Sequence, residues 1–139
     1  MRRIPRKVEI EHEPGKLTRY LRHDNGEGFV SPLARVHPDA TIRPGAYVEA
    51  GARVGARAEV GRFSWVDVDA VVGRGARVDE NVHVGVRGVV GDGAWVGSGS
   101  RLGTDSRVPA GTVVAPDAIV PDGETAHGTR RRKDFGTAA

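Results

Sequence analysis

An aliphatic residue returns at every sixth position of this chain. The series runs Val36, Ile42, Val48, Val54, Val60, Val66, Val72, Val78, Val84, Val90, Val96, Leu102, Val108, Val114 and Val120. Two positions before each stands a small residue, and all but Val82 and Thr112 of these are Ala, Ser or Gly. Gly follows the aliphatic at positions 55, 61, 73, 85, 91, 97 and 103. Helices repeat at 3.6 residues and strands at two, so a period of six belongs to neither. Each hexad therefore reads as a short strand plus a bend. The aliphatic and the small residue point into a narrow prism, and Gly and polar residues relieve the turn. Three hexads close one triangular coil, so the grid predicts about five coils. Stacked at about 4.8 Å, they rise roughly 24 Å.

The residue just before each aliphatic points outward, and the stacking sorts these residues into three external columns. One reads Tyr47, Trp65, His83, Arg101, Ile119; the second Thr41, Glu59, Arg77, Trp95, Val113; the third Arg35, Arg53, Val71, Val89, Arg107. Outward apolar residues such as Val71, Val89, Trp95 and Ile119 call for cover, which a trimer interface supplies. Tyr47, Trp65, Val71, His83, Val89, Trp95, Arg101 and Ile119 are thus the candidate interface residues.

The grid occupies residues 31–122, and the flanks differ. In 1–30, Val8 and Ile10 alternate with polar residues and Pro14-Gly15 marks a tight turn. Residues 16–22 then read as the return strand of a hairpin, or as a short helix using Leu17, Tyr20 and Leu21. Open edges at the ends of stacked coils need covering, so this segment reads as a cap or interaction arm. Residues 123–139 form a basic C-terminal tail, with Arg130, Arg131, Arg132 and Lys133 as a candidate partner-binding run.

Composition narrows the classes. The chain has 139 residues, with 20 Gly and 5% aromatics, too few bulky fillers for a large conventional core. It has no Cys, which removes disulfides, thiolate zinc sites and cysteine nucleophiles. No apolar run is long enough to span a membrane, and the charged N-terminus does not read as a secretory signal. A cytoplasmic or virion-associated setting is expected. The net charge of +3 arises at the ends: the grid holds 10 Arg against 11 acids, while all three Lys lie outside it. Four basic residues are few for specific nucleic-acid binding, so neither nucleic acid nor membrane is an expected partner.

The unbroken grid resembles the hexapeptide-repeat family of left-handed parallel β-helices. The resemblance implies an all-β fold: a left-handed parallel β-helix of about five coils with an N-terminal β-rich cap or arm and a basic tail. The left hand comes from the resemblance, not from the period. It also implies a homotrimer with parallel axes. Many enzymes of the family are acyl-CoA-dependent acyltransferases, with a cleft between subunits and a histidine as general base. Asp92-Gly93-Ala94-Trp95-Val96-Gly97 is similar to the family's Asp-Asn-Val-Trp-Ile-Gly signature. The catalytic histidine of the sugar acetyltransferase branch then falls on Gly99, so that base is missing. No long inserted loop interrupts the grid to shape an acceptor pocket.

His83 is the remaining candidate base, with an orienting carboxylate expected from a neighbouring subunit. His37 reads as shaping the start of the stack, and His12, His23 and His127 read as surface residues. The separated His37, His83 and His127 do not match the paired zinc histidines of γ-type carbonic anhydrases. Gly73-Arg74-Gly75 and Gly97-Ser98-Gly99 lie on the grid and not in a strand–loop–helix phosphate site. The leading expectation is a non-catalytic trimeric structural or interaction protein, such as a shell or capsid decoration protein, without cofactor. It would dock on a larger assembly through residues 1–30 and 123–139. The alternative is a small acyl-CoA-dependent acyltransferase using acetyl-CoA or another acyl-CoA, with His83 at an intersubunit site.

Overall fold

A computed structural model of the chain describes residues 6–130. Among them there is no helix; every element is a strand. From Phe29 to Val120 the strands are two or three residues long and stack into three parallel sheets. Residues 18 apart pair in register, as in Trp65↔His83 and Val66↔Val84. The result is a parallel β-solenoid of about five coils, with three flat faces that carry the three columns read from the sequence.

Burial follows the hexad. Ile42, Val48, Val60, Val66, Val72, Val84, Val90 and Val96 are 0% exposed, and the small residues two positions before are buried with them. Each Val stacks on the Val of the next coil, so the branched side chains fill the axis without aromatic bulk. The interior begins one hexad earlier than the grid read from the sequence, at Val30, and ends one later, at Ala126. Where Ser replaces Ala inside, it is bonded in two of three cases: the Ser64 hydroxyl donates to the Asp79 carbonyl at 2.6 Å, and that of Ser100 to Ala115 at 3.0 Å. Ser106 Oγ is buried with no partner.

Gly and polar residues do hold most of the bends, but not at the position directly after the aliphatic. At every sixth residue from 45 to 123, three positions after the core aliphatic, the backbone takes a positive φ. Glycines hold some of these corners, but Arg57, Phe63, Asp69, Asn81, Arg87, Asp105 and Asp117 hold the others. The Gly directly after the aliphatic serves a different need: it makes room. A Cβ on Gly61 would lie 2.6 Å from the backbone carbon of Asp79 in the next coil.

The N-terminal segment is a hairpin, Lys7–Glu13 against Lys16–Arg22, so residues 16–22 are a strand and not a helix. The hairpin continues through Phe29 and Val30 into the sheet that carries His83. The following loop covers a second sheet edge: Ile42 N–H donates to the Asn25 carbonyl at 3.0 Å and Gly28 N–H to that of Ile42 at 2.8 Å. Arg6 pins this loop through Asp24 at 2.8 Å and Glu27 at 2.7 Å. At the other end Thr129–Arg130 pairs antiparallel with Thr112 and Val113. Of the basic run, Arg130 thus joins a sheet by its backbone; Arg131, Arg132 and Lys133 lie outside the described residues.

Candidate functional site

The position after the core aliphatic is Gly in seven of fifteen hexads, but Glu49, Asp67 and Asp79 occupy it on two faces. Residues two apart in a strand share a side, and one coil is 18 residues. A carboxylate there faces the outward residue 16 positions later, diagonally across the sheet. All three make that contact. Trp65 Nε1 donates to Glu49 Oε2 at 2.9 Å, and Trp95 Nε1 to Asp79 Oδ2 at 3.0 Å. His83 Nε2 lies 2.9 Å from Asp67 Oδ2.

His83 is held on two sides. Its edge meets Asp67, and its face stacks on the Trp65 indole at 4.4 Å between centroids and 15° between planes. The Asp67 side chain is 14% exposed and that of His83 is 32% exposed, so the pair is sheltered yet reachable. Both line a groove of about 300 Å³, together with Arg101, Thr104, Ile119 and Asp122. Arg101 occupies the next step of the column, and its Nη1 donates to the Asn81 carbonyl at 2.9 Å. Ile119 above it is 76% exposed.

Below the pair, Tyr20 and Tyr47 belong to an aromatic cluster with Phe29. The Tyr20 hydroxyl donates to Glu49 at 3.0 Å. Burial and the Glu49 charge push the Tyr20 hydroxyl well above the usual phenol range, and burial raises Tyr47 as well.

The other faces offer less chemistry. The Trp95 face has a groove of about 400 Å³, but Arg43 and Arg77 there face Glu59 and Asp79, and no imidazole lines it. The third face presents half-buried Val71 and Val89 between Arg53 and Arg107. Among the described residues no three His, Asp or Glu side chains gather as a metal site.

Several sequence expectations are corrected here. A carboxylate of the same chain, Asp67 one coil below, meets His83, where the sequence reading looked to a neighbouring subunit. His23 is not a free surface residue: it is half-buried, with Nε2 at 2.8 Å from the Ala40 carbonyl. His37 is exposed and pairs locally with Asp39 at 2.8 Å. His127 is exposed, and the His12 side chain lies outside the described residues. Asp67 was missed, although its replacement of a grid Gly 16 residues before the histidine was a readable signal.

No protein-family model and no curated protein matches the chain. Solved structures do. A mutant perosamine N-acetyltransferase from Caulobacter crescentus, in complex with CoA and GDP-perosamine, is 28% identical over 71% of this chain and 47% of its own, with a TM-score of 0.70. The acetyltransferase domain of PglB from Neisseria gonorrhoeae, in complex with acetyl coenzyme A, is 27% identical over 69% of this chain and 52% of that one, with a TM-score of 0.38. The chain spans about half the length of the structures it matches. The chain shares its hexapeptide-repeat β-solenoid fold with structures of acyltransferases. The expectation of a non-catalytic decoration or scaffold protein is therefore corrected. It leaned on the missing histidine at 99 and the absence of an inserted loop, whereas the fold is shared with an N-acetyltransferase and His83 carries a carboxylate partner. The match likewise supports the acyl-CoA alternative and gives no support to a cofactor-free role.

Proposed function

We propose that the chain is an acyl-CoA-dependent acyltransferase, acting beside His83 on an amine or hydroxyl acceptor. The observation that carries this reading is the 2.9 Å contact between His83 Nε2 and Asp67 Oδ2 at the edge of a groove. It occurs on a backbone that matches an N-acetyltransferase at a TM-score of 0.70.

The residues present suit a thioester arm. Val86, Ile119 and Pro121 give the groove an apolar wall, and Arg101 supplies positive charge. Asp122 at the rim accepts from the Thr104 N–H at 2.8 Å, which fixes its orientation. An acyl-CoA bound there supplies an acyl carbonyl activated by sulfur.

With Nε2–H donated to Asp67, the neutral imidazole keeps its lone pair on Nδ1. His83 then takes the proton of the attacking nitrogen or oxygen as the new bond to the acyl carbon forms. The carbon–sulfur bond breaks, and the proton returns from His83 to the leaving thiolate. The Asp67 carboxylate balances the imidazolium between these two transfers and holds the ring in one tautomer. A homotrimer is part of the reading: an adjoining subunit would wall the open side of the groove and cover Ile119 and the exposed indole of Trp65.

Thermal unfolding with and without saturating acetyl-CoA and CoA tests the reading. A ligand at about 100 times its dissociation constant adds roughly 2.7 kcal/mol. His83→Ala and Asp67→Asn should then lower kcat for acetyl transfer, the former by roughly 10²–10⁴-fold. No stabilisation by either ligand, or full transfer by His83→Ala, would overturn it.

A further inference from the structure

Beneath His83 lies a ladder of side chains that the base–carboxylate pair does not itself use. The Trp65 ring stacks on the imidazole at 4.4 Å. Its indole N–H is tied to Glu49 at 2.9 Å. Glu49 also accepts from the Tyr20 hydroxyl at 3.0 Å, and Tyr20, 1% exposed, belongs to the N-terminal hairpin. Tyr20 sits edge-on to Tyr47 at 5.2 Å, which fixes it from the side.

A single hydrogen bond at its edge leaves an imidazole free to swing about that bond. A ring beneath its face removes the freedom: Asp67 sets the edge and Trp65 sets the plane. The indole face also attracts the ring when it carries a proton. The Trp95 face shows what the unit is without a histidine. There the indole is tied to Asp79 at 3.0 Å in the same way, but Arg77 lies over it at 4.8 Å. The tethered indole is thus a platform that this grid builds twice, and only at Trp65 does it carry an imidazole.

We propose that Trp65 is a positioning residue for His83, held in place by Glu49 and, through Glu49, by Tyr20 of the hairpin. The proposal rests on the acyltransferase reading for its effect on turnover, and on the stack alone for its effect on the ring. Geometry errors at a base that must meet one proton are costly, of order a hundredfold for a misplacement near 1 Å.

Trp65→Leu removes the platform, Trp65→Phe keeps a ring without its tether, and Trp95→Phe is the control on the other face. Trp65→Leu should lower kcat for acetyl transfer by roughly ten- to a hundredfold, with KM for acetyl-CoA unchanged. Trp65→Phe should recover most of the loss, and Trp95→Phe should turn over like the unaltered protein. A second readout needs no activity. In NMR spectra of the ligand-free protein, the His83 ring protons are shielded by the indole; they should move downfield in Trp65→Leu and stay shielded in Trp65→Phe. If Trp65→Leu does not fold, Tyr20→Phe and Glu49→Gln loosen the tether with the indole intact, and should give smaller changes of the same kind. Unmoved ring protons, or full kcat in Trp65→Leu, would overturn the positioning role while leaving the acyltransferase reading in place. An unaltered protein that transfers no acetyl group while its ring protons respond as expected overturns the acyltransferase reading, and the role in turnover with it.

Discussion

Each hexad has two positions that favour small backbone-permissive residues, and they are distinguished by cause. Three residues after the core aliphatic, the chain takes a left-handed conformation, at Gly45 with φ +82° but equally at Arg57 with φ +59°. A non-Gly residue there costs about 1–2 kcal/mol. Arg57→Gly should therefore raise stability by up to about 1 kcal/mol after the entropy cost of Gly, measured by denaturant unfolding; the hydrogen bond from its backbone N–H to Asp39 survives the change. One residue after the aliphatic the cause is steric. Gly61→Ala drives a methyl into the next coil's backbone and should cost about 1–3 kcal/mol by the same measurement. The sequence showed the second series because Gly recurs there. It hid the first, because Asn, Asp, Arg and Phe share those corners with Gly and the constraint lies in φ, not in residue type. Asp67 was legible in principle by the same grid, as a carboxylate where spacing asks for Gly.

At the scale of the element, the hairpin was readable as strand or helix because Leu17 and Leu21 suit either. The structure turns them outward, with Leu17 61% exposed, and buries Tyr20 instead. The deciding contacts lie far along the chain, at Glu49 and Tyr47, which is why the local pattern left both choices open. Those contacts give the hairpin a pH signature. Tyr20 is pushed up, by burial first and then by the Glu49 charge, from an ordinary value of 10.0. The folded hydroxyl keeps its proton at pH values where the unfolded one loses it. The hairpin's contribution is complete below pH about 10 and declines as pH rises beyond it. Denaturant unfolding at pH 9 and 11 should show this decline, and Tyr20→Phe should make it shallower. An equal decline in the variant would remove Tyr20 from the explanation.

For the whole molecule, stability is a stack of near-identical layers, so the cost of a cavity depends on its place. Val84 is 0% exposed in mid-stack, whereas Val36 is only partly buried near the first coil. Removing two methyl groups at Val84 should cost about 2–3 kcal/mol as Val84→Ala, and clearly less as Val36→Ala, because a terminal coil has less surface to lose and more room to relax. Equal losses in thermal or denaturant unfolding would contradict that picture. The sequence by itself determined the period, the triangular coil, the inward residues and the three outward columns. All of these follow from local repetition, and a chain that buries every sixth residue has one way to do so at each step. Tertiary structure decided which side chains bond across the stack: that Asp67 meets the His83 edge, that the Trp65 ring lies flat beneath it, and which hairpin side chain joins the tether of that ring. Such contacts depend on register between coils and on rotamers at the surface, and no single hexad encodes either.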